Sequence, residues 1–140
     1  ASTQNAKASI DGVPDINNLN IGRQRYLPKI VGGYNALKTA GEVEEKWLTK
    51  TLPKMTQAMD LWGALQRREM APDKFSRKCQ KDAKAFEKAA KTKDYEATMQ
   101  AFQMYLDDLP DSGPGGSGKI DVSEPTGFRI ESVSNSERQY

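Results

Sequence analysis

The chain has 140 residues, 36% of them hydrophobic and 29% charged, enough for one small core and short of two. Histidine is absent and Cys79 is the single cysteine, which excludes Ser-His-Asp and Cys-His catalysis, His-ligated zinc, a CxxC pair and an intrachain disulfide. The formal net charge of +2 hides a division: residues 1–93 hold 18 Lys/Arg against 10 Asp/Glu and residues 94–140 hold 3 against 9, so the two parts stand at +8 and −6.

Residues 1–20 are poor in large apolar groups, contain Gly12, Pro14 and a run of asparagines, and read as an extended N-terminal arm. The chain begins at Ala1 with no initiator methionine, as a form released from a presequence would. From Ile21 to Ala40, Leu27, Ile30, Tyr34 and Leu37 recur at three- and four-residue steps, predicting a first helix closed by Gly41. Pro28 suits its first turn, and Gly32-Gly33 is explained by close approach of a neighbouring helix.

Between Glu42 and Met70 the residues Leu48, Leu52, Met55, Met59, Trp62 and Met70 hold one helical phase across Pro53, predicting one long helix kinked at the proline. After Ala71-Pro72, Asp73 to Lys91 reads as a third helix with Phe75, Cys79, Ala83, Phe86 and Ala90 on its buried side. Thr92-Lys93-Asp94 breaks it, and Tyr95, Met99, Phe102, Leu106 and Leu109 mark a fourth helix ended by Pro110. The expected fold is all-α: an up-down-up-down four-helix bundle over residues 21–110, with an extended N-terminal arm and a flexible C-terminal tail. Residues 111–118 form a Gly/Pro linker and residues 119–140, with scattered Ile120, Val122, Phe128, Ile130 and Val133, form the tail, where one short strand or docking segment is the alternative.

Several patterns look chemical and have plainer readings. Gly113-Pro-Gly-Gly-Ser-Gly118-Lys119 has the glycine and lysine spacing of a phosphate loop, but Ile120 replaces the hydroxyl residue that would reach magnesium and a helix precedes it where a strand should. Asp15-Ile-Asn17-Asn18-Leu-Asn20 lacks the glycine and terminal glutamate of a calcium loop. The acids Glu42, Glu44 and Glu45 and the acids Asp107, Asp108 and Asp111 read as helix-end solvation, with a weak cation site as the alternative. The first open a helix, where acids are favoured, and the second end one, where they are not, which leaves a partner-facing acidic spot as a further alternative for them. The aromatics Trp47, Trp62, Tyr26, Tyr34, Tyr95 and Tyr105 and the methionines Met55, Met59, Met70, Met99 and Met104 read as packing at helical spacing, with a ligand box or groove lining as the alternative. No catalytic, cofactor-binding or metal-ligating set emerges, and an enzyme is not expected.

The candidate site is on the third helix. Lys74, Arg77, Lys78, Lys81, Lys84, Lys88 and Lys91 share an arc of roughly 140° opposite the Phe75-to-Ala90 side, with Asp73, Asp82 and Glu87 the only acids among them. This stripe is either a solvated face or a partner-binding surface for an acidic protein. Nucleic acid or anionic lipid is a further alternative, weakened by the lack of interleaved aromatics and of an exposed apolar face. No apolar run approaches the roughly 20 residues of a membrane span.

With this helix order and basic surface, the stretches Arg25-Tyr-Leu-Pro-Lys-Ile-Val, Asp60-Leu-Trp-Gly-Ala-Leu and Asp94-Tyr-Glu-Ala-Thr-Met give the chain a character that resembles the PsbQ-like extrinsic subunits of photosystem II, most like the additional extrinsic subunit of diatoms. The resemblance covers about Ile21 to Pro110 and implies a four-helix protein of the chloroplast thylakoid lumen. It implies a protein peripheral to the membrane and monomeric alone, which docks on the photosystem II core and neighbouring extrinsic subunits and supports oxygen evolution by calcium and chloride retention without catalysing it. The alternative is a helical-hairpin adaptor, since Lys93-Asp-Tyr-Glu-Ala-Thr-Met-Gln-Ala-Phe resembles half of a tetratricopeptide repeat, although no second copy follows at the spacing of about 34 residues such repeats require.

Overall fold

A computed structural model describes residues 16–67, 73–111 and 116–128. Its helices, in chain order, are α1 (Ile16–Ala40), α2 (Glu45–Lys50), α3 (Leu52–Ala64), α4 (Lys74–Lys91) and α5 (Tyr95–Asp108), and no strand occurs among the described residues. α2 and α3 are two halves of one bent rod. The Thr51 amide still donates to Trp47 O and the Met55 amide to Thr51 O, while Pro53 has no N–H to offer the preceding turn. The described residues therefore form an all-helical arrangement of four rods, with α1 against α3, α3 against α4 and α4 against α5.

The first rod starts earlier than the composition of the arm predicts. Helix begins at Ile16, and Leu19 is fully buried, so the last residues of the expected arm belong to the core; residues 1–15 lie outside the described residues. A buried leucine outweighs the low helix propensity of the surrounding asparagines. Pro28 accordingly falls deep inside the helix. Gly33 is where α1 meets the bent rod: a β-carbon there would come within 2.5 Å of Met55 Sδ, and its carbonyl accepts the Trp47 indole N–H at 3.0 Å. The second rod ends at Ala64, where the Leu65 and Gln66 amides turn back to Trp62 O and Gly63 O; the expected continuation towards Met70 runs into residues 68–72, which are not described.

Local signals fix both ends of α4 and the start of α5. Asp73 and Asp94 are N-caps, accepting from the Ser76 amide at 2.8 Å and the Ala97 amide at 3.0 Å. Between these helices Lys93 adopts a left-handed φ of 62° and pairs with Glu45 at 2.8 Å. The centre is aromatic. Tyr34 stacks on Phe102 at 4.8 Å, Phe102 lies 5.5 Å from Phe86, and Trp47 meets Phe86 edge-on at 6.2 Å, joining α1, α2, α4 and α5. Fully buried side chains of this size each contribute about 1.5–3 kcal/mol. Tyr105 also anchors its hydroxyl, donating to Met59 O at 2.7 Å.

The expected flexible tail is corrected over residues 119–128. Ile120, Val122 and Phe128 pack on the core, and Gly127 lies so close to α1 that a β-carbon would meet Leu27. The end of the expected linker is tied down too: the Trp62 indole donates to Gly118 O, Arg23 donates to Ser117 O, and the Gly118 amide donates to Pro110 O. Scattered apolar residues suffice because each reaches an existing core without forming one of its own. Residues 112–115 and 129–140, which contain Ile130 and Val133, lie outside the described residues.

Candidate docking ridge on α4

Seven cations reach solvent together because the buried side of α4 is narrow. Cys79, Ala83, Phe86 and Ala90 face the core, Phe75 is half-buried, and Lys74, Arg77, Lys78, Lys81, Lys84, Lys88 and Lys91 are all exposed along the opposite side. Among the described residues, three of the seven have partners. Lys78 pairs with Asp108 at 3.3 Å, Lys91 with Glu87 at 3.4 Å, and Lys74 lies over the Phe75 ring at 5.6 Å. Among the described residues no ion pair engages Arg77, Lys81, Lys84 or Lys88. Like charges spaced three and four residues apart repel, so this stretch favours an external anionic partner.

Beneath Lys78 lies an acidic pair. Asp82 is only 7% exposed and contacts Asp108 of α5, and the Asp82 carboxyl is pushed up to about 7 by burial first, then by the hydrogen bond and charge of Asp108. Asp108 moves the other way, held below its ordinary value chiefly by the hydrogen bond from Asp82 and further by Lys78. Asp108 is half-buried and already engaged by Lys78 within the chain, which takes it out of the alternative partner-facing acidic spot; Asp111 is exposed, and Asp107 is exposed and takes a hydrogen bond from Gln103 at 2.8 Å. The sequence contained the signal for Asp82, which stands three residues after Cys79 and four before Phe86, at the margin of the buried arc.

The other chemical patterns resolve into structural roles. Lys119 of the phosphate-loop-like run donates to Leu106 O at 3.2 Å and Asp107 O at 2.9 Å, placing a cation on the negative end of α5. The segment resembling a calcium loop is helical from Ile16, with Asn20 accepting from Arg23 at 2.7 Å. Met55 and Met59 are buried, but Met104 is 57% exposed and is not core filler; Met70 is not described. Among the described residues, no three Cys, Asp or Glu side chains cluster as metal ligands would, and no helix is long and apolar enough to cross a membrane. Compared with protein-family models, curated proteins and solved structures, the chain matches none.

Proposed function

We propose that this chain is a non-catalytic binding subunit that docks through the α4 ridge onto an acidic protein surface. The observation that carries the reading is the run Arg77, Lys81, Lys84 and Lys88, exposed on one side of a helix whose other side is locked in the core, with no ion pair among the described residues. A rigid rod presents these charges in fixed register, so docking orders few backbone groups and the field of the ridge steers the encounter. The PsbQ-like character of residues in α1, α3 and the start of α5 supports a specific partner, the lumenal face of photosystem II. There the bundle acts as an accessory, shielding the oxygen-evolving centre and slowing the loss of calcium and chloride.

The test is release and rebinding. Photosystem II membranes stripped by high salt are expected to rebind the wild-type chain at low ionic strength, and to fail to rebind a Lys81→Glu, Lys84→Glu, Lys88→Glu variant whose helicity by circular dichroism is unchanged. Lys78 is left intact because it has an internal partner. Equal rebinding of the variant would exclude the ridge as the interface, and no rebinding of either protein would exclude this partner.

A further inference from the structure

The seam between α4 and α5 holds a carboxyl pair that docking alone does not use. Among the described residues Asp82 Oδ2 is buried with no hydrogen-bond partner, the Asp108 carboxyl acts on it from α5, and Lys78 reaches Asp108 Oδ1 at 3.3 Å from the ridge side. Two carboxylates in contact cannot both ionise cheaply, so they retain a shared proton to higher pH than either would alone. The groups that act on Asp82 come from its own helix and from α5. Lys78 and Lys81 of α4 favour its ionisation, and Asp108 of α5 opposes it. Cys79 and Tyr105 are the buried titratable groups on which Asp82 acts, Asp60 of α3 acts on Tyr105, and Lys119 of the C-terminal segment acts on Asp108. Asp73 acts on the neighbouring Cys79.

We propose that the Asp82–Asp108 pair regulates the ridge by proton occupancy: with the shared proton in place Lys78 answers one negative charge, and its loss sets a second against Lys78 and Lys81 and weakens the grip on an acidic protein. This rests on the docking reading above and adds its control. The transition falls near neutrality, where burial and Asp108 have moved Asp82, and the chain has no histidine to titrate there. Each ridge cation works singly at an exposed surface, so losing one unit of net charge is expected to weaken binding about two- to fivefold.

Poly-L-aspartate, which stays ionised across the range, serves as the probe, with affinity measured for the full chain at pH 6 and pH 8 at one low ionic strength. The wild type is expected to bind about two- to fivefold tighter at pH 6, and Asp82→Asn, whose amide mimics the protonated acid, to bind tightly at both. A carboxyl carbon NMR titration of the wild type reads Asp82 directly and should show its step near 7. Regulation is overturned alone if the ridge-reversed variant loses binding while wild type and D82N share one pH profile, or if Asp82 titrates near 4. Both readings are overturned if the ridge-reversed variant binds as tightly as wild type.

Discussion

The indole N–H of Trp62, in the last turn of α3, donates to the carbonyl of Gly118 at 2.9 Å, joining positions 56 residues apart. Arg23 reinforces the joint from α1, with its guanidinium over the Trp62 ring at 5.9 Å and a hydrogen bond to Ser117 O at 2.8 Å. Gly118 packs directly against the Gln66 side-chain amide, which would have to shift to make room for a β-carbon. The C-terminal segment is thus a strap held by backbone carbonyls, with Ile120, Val122 and Phe128 supplying apolar contact.

Replacing Trp62 by Phe keeps a ring in the core and strands the Gly118 carbonyl. A buried acceptor left without its donor costs about 1–3 kcal/mol. Urea unfolding is expected to show that loss, and hydrogen exchange should show faster exchange at the Gly118 amide, which donates to Pro110 O at 2.8 Å. Unchanged exchange would mean that the strap is held by its apolar contacts alone.

The strap also shows where sequence reading stops. Periodicity located α4 and α5 to within a residue, because Asp73 and Asp94 announce their starts and the buried arcs are regular. The same method missed Leu19, whose neighbours are polar, and residues 116–128, whose contacts depend on a surface built by distant parts of the chain. The ridge was legible because exposure follows from helix phase. The Asp82–Asp108 pair was not, since it required knowing which turn of α5 meets which turn of α4.

Cys79 should be chemically silent in the folded protein. It is fully buried, and its thiol is pushed up to about 12, first by burial and then by Asp82, Asp108 and Asp73. The thiolate is the nucleophile, so at pH 8 its population is about a thousandfold or more below that of an unfolded chain. A disulfide reagent with a chromogenic leaving group is expected to react with the native protein at least about a thousandfold slower than with the protein in concentrated guanidinium. Comparable rates would show that the α4–α5 seam opens freely under native conditions.

Stability should fall as pH rises towards neutrality, and one residue should account for most of the slope. The Asp82 carboxyl stands at about 7 in the folded chain against an ordinary 3.8, so the folded state binds its proton more tightly than the unfolded state does. That contribution is fully present below the ordinary value and is lost as pH climbs through the folded one. Asp108 is shifted downward, so its contribution is lost only on acidification through the usual carboxylate range and below, outside the interval from pH 5 to pH 8. Asp82→Asn cannot ionise and keeps nearly the same shape. Urea midpoints measured at pH 5 and pH 8 are expected to decline in the wild type and to stay level in D82N, with the variant the more stable of the two at pH 8. Parallel declines would place the titrating group elsewhere and leave Asp82 ionised throughout the interval.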